Sequence, residues 1–141
     1  MVIKKKEGDL ITPKGLYKIK YVLYRKDRIK KVKSKIKKII IKKNMGWCDD
    51  PRSKAYNKII KLPSTFNYEK LYRKNNIYDI ILVLNYNMSP IIKNKGSAIF
   101  IHISKKNYRK TEGCIGLKKV HLLKILEKIN KNTKVKIVSQ K

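Results

Sequence analysis

Two residues with chemistry to offer stand close together in the last third of the chain. His102 lies inside the apolar run Ser97-Ala98-Ile99-Phe100-Ile101-His102-Ile103-Ser104, and twelve positions later Cys114 stands in Thr111-Glu112-Gly113-Cys114-Ile115-Gly116-Leu117. A thiolate is an intrinsically strong nucleophile, and imidazole is the side chain best suited to take its proton near neutral pH. Gly113 would let the chain turn tightly and bring backbone N–H groups close to a ligand, and Gly116 would free the other side. A helix starting just after the cysteine would depress the thiol pKa with its positive end. Both residues also have a plain structural reading, because a lone buried cysteine packs as a small hydrophobe and a lone strand histidine is often a satisfied core residue.

The elements that must hold this pair can be read from local pattern. Tyr78 to Asn87 is apolar on both parities, the signature of a central strand buried on both faces, and Ser97 to Ser104 is a second such strand after a Pro90/Gly96 turn. Leu122, Ile125, Leu126 and Ile129 are spaced i, i+3, i+4, i+7 and predict an amphipathic helix over about 117–130. Val135-Lys136-Ile137-Val138 closes the chain as a short strand. Near the start, the Gly- and Pro-containing segment Glu7 to Leu16 predicts a turn, with a strand over Tyr17 to Tyr24.

Arg25 to Lys43 is harder to place. Eleven of its nineteen residues are basic and its aliphatics recur near helical spacing. All of those aliphatics are β-branched, however, and no cap closes the segment before Gly46, so irregular or strand structure is expected. Gly46-Trp47-Cys48-Asp49-Asp50-Pro51 is a dense turn signal, and the polar stretch that follows through Tyr56, Asn57 and Pro63 reads as a long surface excursion.

The whole chain, 141 residues, fits one domain spanning 1–141. Lysine and arginine number 38 against 9 acids, a formal charge of +29, yet 42% of residues are hydrophobic, which excludes a disordered basic tail. Lysine comes with abundant Ile, Asn and Tyr, so compositional drift explains the charge better than a nucleic-acid-binding role; non-specific attraction to polyanions follows either way. No apolar run approaches a membrane span and no signal core is visible at the start. Two cysteines are too few for a disulfide scaffold, and Cys48, Cys114, His102 and His121 lack metal-ligand spacing, so neither a metal nor another cofactor is expected. Five of the nine acids, Glu7, Asp9, Asp49, Asp50 and Glu112, fall in the three glycine-containing turn segments. That concentration adds weight to the catalytic reading, although turn chemistry alone accounts for part of it.

Ile101-His102 followed by Thr111-x-Gly113-Cys114-Ile115 resembles the active-site signature of the L,D-transpeptidase catalytic domain (YkuD-type) family, and Thr12-Pro13-x-Gly15-x-Tyr17 resembles an element near the start of that domain. Likeness to a compact single-domain bacterial branch extends through Lys6-Glu7-Gly8-Asp9, Tyr24-Arg25-x-Asp27-Arg28, Gly46-Trp47-Cys48-Asp49-Asp50-Pro51, Tyr56-Asn57, Tyr78-Asp79 and Gly96 to His102. The resemblance implies a mainly β fold with one C-terminal α-helix, a β-sandwich or barrel. It implies a cysteine acyltransferase acting on peptidoglycan stem peptides, with Cys114 as nucleophile and His102 as base. The Ile103 carbonyl would orient the imidazole, and the Gly113 and Cys114 N–H groups would form the oxyanion hole. Thr111, Glu112, Trp47 and Asp49 are expected at the substrate; Cys48 is expected to be structural, and His121 solvated or packed on the helix.

Two departures bear on the outcome: Glu112 stands where the common pattern has histidine, and Gly116 where arginine or asparagine often follows. Cross-linking is therefore less secure than thiol acylation, and hydrolysis, an L,D-carboxypeptidase reaction, is the near alternative. That branch also carries a further strand before Lys6, so the chain reads as trimmed or minimal. A cell-envelope or periplasmic location follows from the substrate, with a cytoplasmic one as alternative, and a monomer is expected. The reading from another class, a basic nucleic-acid-binding module built on Arg25 to Lys43, lacks aromatic stacking positions between Tyr24 and Trp47.

Overall fold

The computed structural model describes residues 6–9, 11–104 and 114–138. Its first strand, β1 (Gly15–Tyr24), is ten residues long and organises the larger sheet. The first half of β1 pairs antiparallel with β9 (Lys134–Ile137), and the second half pairs parallel with β2 (Lys38–Ile40). From there the sheet continues through β6 (Ile80–Leu84), β7 (Phe100–Ile103) and β8 (Ile115–Leu117), giving the order β2-β1-β6-β7-β8. A second sheet of three short strands has β3 (Met45–Cys48) between β4 (Ile59–Lys61) and β5 (Tyr68–Lys70). The fold is mainly β with a single helix, α1 (Lys119–Lys128), among the described residues.

The large sheet has a core on each side, which is why β6 is apolar on both parities. Ile80, Leu82 and Leu84 face one core and Ile81 and Val83 the other, all essentially without exposed surface. On the first side, α1 lays Leu122 and Leu126 against the sheet beside Ile29, Val32 and Ile36. The helix has no side-chain N-cap and no acid in its first turn, so the burial of that apolar stripe is what holds it. On the second side, Trp47 from β3 packs edge-on against Phe100 of β7 at 5.1 Å, joining the two sheets. A register irregularity between Ile19 and Tyr21 shifts the alternation of β1, so that Ile19 and Val22 face the first core while Leu23 faces the second.

Residues 25–37 are irregular and the chain becomes strand only at Lys38, so no basic helix forms there. The segment is pinned at its start by arginines. Arg25, nearly buried, holds Asp27 through two hydrogen bonds of 2.8 and 2.7 Å and lies over the Tyr72 ring, while Arg28 reaches Asp79 at 2.9 Å. Such planar, charge-assisted contacts fix an irregular backbone where lysine could not.

The stretch after Gly46 is not the surface excursion its polarity predicts. It folds into the three-stranded sheet, and Trp47, Tyr56 and Asn57 are buried. Its polar groups turn inward: the Asn57 amide oxygen accepts from Trp47 Nε1–H at 3.1 Å, and Tyr56 donates to Glu7 at 2.7 Å. Polar composition indicates a loop only when those groups have no internal partner.

Candidate active site

His102 sits on β7, where alternation sends Phe100 and His102 to the second core and Ile101 and Ile103 to the first. The strand pairs with Ile81 of β6 on one side and Gly116 of β8 on the other at the level of the histidine. The imidazole is almost fully buried, and its Nδ1 lies 2.8 Å from the Ile103 carbonyl oxygen. A carbonyl oxygen can only accept, so Nδ1 carries a proton, and in the neutral ring Nε2 is the nitrogen with the lone pair. Tyr78 flanks the ring edge-on at 5.6 Å and also meets Phe100 at 5.7 Å, closing the apolar wall around it.

Cys114 immediately precedes β8. Because β8 runs parallel to β7 with Gly116 opposite His102, Cys114, two residues earlier, lies on the same face of the sheet as the histidine and joins the second core. It is buried, with 8% of its surface exposed. The thiol donates to the Ala98 carbonyl at 3.0 Å. Gly116 packs closely: a Cβ there would stand 3.1 Å from the Cα of Ser104, a backbone atom that would have to give way.

One sequence expectation about the thiol is corrected. Helix α1 does not start at the cysteine; β8 intervenes and the helix begins at Lys119. The field of a helix end fades within about one turn, so α1 does not supply the pKa depression expected for Cys114. The local electrostatics come instead from buried polar neighbours. Tyr78 donates to Glu69 at 2.7 Å, and burial first, then the Glu69 carboxylate and the Cys114 sulfur, push its phenol well above the ordinary value. The phenol is therefore a neutral donor at working pH. Arg73 stacks over the same ring at 4.2 Å.

Of the remaining expected site residues, Thr111, Glu112 and Gly113 lie outside the described residues. Trp47 has no exposed surface and is a wall behind the site, so the expectation that it meets substrate is not met in this structure. Asp49 is half-buried at the end of β3, its N–H on the Asn67 carbonyl at 3.4 Å. Cys48 is fully buried in the sheet, and His121 is exposed on α1. Among the described residues no cluster of three histidine, cysteine or acidic side chains could hold a metal ion, and no helix is long and apolar enough to cross a membrane.

Three residues at the site had no chemical role in the sequence reading. Ala98 takes a left-handed backbone (φ 54°), rare for a residue with a Cβ, and nothing in its identity signals this. Asn57 uses both polar atoms of its amide: the oxygen accepts from Trp47 and from Ala98 N–H, and the nitrogen donates to the carbonyls of Tyr86 and Asn87. Tyr78 walls the imidazole. Asn57 and Tyr78 stand in the Tyr56-Asn57 and Tyr78-Asp79 pairs that carry the family resemblance, which was the available signal.

A β domain that sets a cysteine and a histidine on one face of adjacent parallel strands, with the imidazole oriented by a backbone carbonyl, has the parts of a thiol-dependent acyl-transfer enzyme. Comparison with known families narrows the class: the model of the L,D-transpeptidase catalytic domain (YkuD) matches residues 2–137, nearly the whole chain, and the chain belongs to that family. It is accordingly an L,D-transpeptidase-type enzyme of a family that acts on peptidoglycan peptides. No curated protein and no solved structure matches the chain.

Proposed function

We propose that this protein is an L,D-transpeptidase working through a Cys114 acyl-enzyme on peptidoglycan stem peptides. The observation that carries the reading is the placement of His102 and Cys114 on one sheet face with Nδ1 committed to Ile103, which leaves Nε2 as the only basic atom of the ring. In the first half-reaction Nε2 takes the thiol proton, and the sulfur attacks the carbonyl carbon joining the L-centre of a diamino acid to a terminal D-residue. The C–N bond breaks, the imidazolium returns its proton to the departing amine, and a thioester remains on Cys114. In the second, the amine of another stem, deprotonated by the same nitrogen, attacks the thioester and forms the cross-link while the thiol is restored.

The backbone N–H groups of Gly113 and Cys114 would stabilise the oxyanion in both steps. Thr111, Glu112 and Asp49 are assigned to substrate contact. The apolar wall of Tyr78, Phe100 and Trp47 excludes water from the thioester and favours an amine acceptor over hydrolysis. Acting on assembled or nascent wall, the enzyme belongs in the cell envelope, and its surplus lysines add non-specific affinity for polyanions there.

The test is intact mass after incubating wild type and Cys114→Ala with a carbapenem-type β-lactam. One adduct on wild type and none on the variant is the expected result; no adduct on wild type, with Cys114 open to a small alkylating reagent, would overturn the acyl-enzyme. Purified muropeptides then separate the outcomes: cross-linked dimers support transpeptidation, whereas shortened monomers alone indicate L,D-carboxypeptidase activity.

A further inference from the structure

The thiol of Cys114 rests on a carbonyl that the chain has gone out of its way to aim. Ala98 precedes β7 and adopts φ 54°, a conformation that is strained for a residue with a Cβ and persists only where its surroundings hold it. What holds it is Asn57, whose Oδ1 accepts the Ala98 N–H at 3.1 Å across 41 residues of sequence. The other side of the same residue, its carbonyl oxygen, takes the Cys114 thiol at 3.0 Å.

Asn57 is itself held from four directions. Trp47 Nε1–H shares its oxygen at 3.1 Å, its NH2 donates to Tyr86 and Asn87 at 3.1 and 2.9 Å, and its own backbone N–H donates to the Cys48 carbonyl at 2.8 Å. Its φ of 59° is one that asparagine tolerates better than most residues. Beside it, Tyr56 braces the preceding turn by accepting from Gly96 N–H at 2.9 Å. A side chain with every polar atom engaged and almost no exposed surface cannot drift, so the direction of the Ala98 carbonyl is fixed.

We propose that Asn57 is a positioning residue for the nucleophile: by holding Ala98 in its left-handed conformation it aims the carbonyl that orients the Cys114 thiol and keeps it protonated until substrate arrives. An S–H···O=C bond exists only in the thiol form, and the negative end of a carbonyl dipole disfavours the thiolate beside it. The resting enzyme is thereby guarded against alkylation and oxidation, and transfer of the proton to His102 begins by breaking this bond. This rests on the reading of Cys114 as nucleophile. Among the described residues, titratable and charged groups near the sulfur include His102 on β7, Tyr78 with Glu69 of β5, and Arg73 over the Tyr78 ring. Substitution at Asn57 leaves all of them in place.

The experiment measures the pH midpoint of Cys114 alkylation by iodoacetamide, read by peptide mass so that Cys48 is scored separately, in wild type, Asn57→Ala, Ala98→Gly and the double variant. Loss of a typical hydrogen bond from the thiol form should lower the midpoint in Asn57→Ala by about one pH unit, a roughly tenfold rise in thiolate fraction. Carbapenem acylation should slow in the same variant because the sulfur is no longer aimed. Ala98→Gly alone should match wild type, and in the Asn57→Ala background it should restore part of the midpoint, since glycine adopts positive φ without strain. An unchanged midpoint in a folded Asn57→Ala, or no restoration by Ala98→Gly, overturns the proposal.

Should Asn57→Ala fail to fold, Asn57→Asp keeps an oxygen for Ala98 N–H and Trp47 Nε1–H while it loses the two donors, sets an oxygen against the Tyr86 and Asn87 carbonyls and adds an acidic group that can only raise the thiol midpoint. Its midpoint is expected at or above that of wild type, and a midpoint below it would overturn the proposal. The alkylation readout needs no β-lactam, so a wild type that forms no adduct but shifts its midpoint on Asn57→Ala would sink the acyl-enzyme reading while leaving the positioning intact.

Discussion

His102 Nδ1 and the Ile103 carbonyl oxygen are 2.8 Å apart, a contact the residue makes with its own following peptide. Histidine and acceptor are adjacent in the chain, so β7 itself supplies the acceptor that sets the tautomer. Nitrogen-correlated NMR of the imidazole, above the pH at which the ring becomes neutral, should show the proton on Nδ1 and none on Nε2. The opposite tautomer would remove His102 from the role of base.

Gly116 lies opposite His102, and its hydrogen faces the Ser104 backbone. Gly116→Ala should push β8 away from β7 and cost about 1–3 kcal/mol of stability, the usual range for overpacking. Acylation by a carbapenem should fall at least about tenfold, because Cys114 is carried by the same strand and misplacement of a reacting atom by even an ångström is costly. Retained acylation in the folded variant would show that the Cys114 position is set elsewhere.

On the far side of the sheet, Leu126 is completely buried among Leu122, Ile29 and Val32. Leu126→Ala should lower unfolding free energy by about 2–5 kcal/mol in chemical denaturation. His121→Ala, at an exposed position of the same helix, should stay within about 0.5 kcal/mol of wild type. Equal effects from the two would contradict the packing of α1.

Asp50 accepts two hydrogen bonds from the Arg52 guanidinium and further bonds from the Asn67 and Arg52 N–H groups, and these hold its carboxyl well below the usual range. A carboxyl depressed in the folded state stabilises above its unfolded pKa of about 3.9 and loses that contribution as pH falls through the folded value. Wild type should therefore exceed Asp50→Asn in thermal stability at pH 7 and at pH 5, with the gap closing below about pH 4. A gap that persisted unchanged to pH 2 would mean that the ionised form is not what binds Arg52.

Parts of this molecule were legible before any fold was known. The two central strands and the helix announce themselves through apolar runs and helical spacing, and their observed cores, 80–84, 100–103 and 119–128, fall inside the expected ranges. His102 and Cys114 were singled out by their chemistry and by the family resemblance that attaches to them, and only the register of β8 on β7 shows that they share a face. Expectations failed where the determining contact was distant. Three-residue strands such as β4 and β5 carry no period of their own, so a polar stretch hid a sheet. Likewise, β8 inserted itself between Cys114 and α1.

In the sequence, apolar periodicity marked the central strands and the helix, and residue chemistry with the family resemblance singled out Cys114 and His102 as candidates, because these are local properties. Tertiary structure alone decided that Trp47 is a wall, that Gly116 lies tight against the Ser104 backbone, and that Ala98 turns its carbonyl to Cys114. Those outcomes rest on hydrogen bonds and close approaches between segments as far apart as Asn57 and Ala98. Such contacts override the backbone preference of an alanine, and no local pattern encodes them.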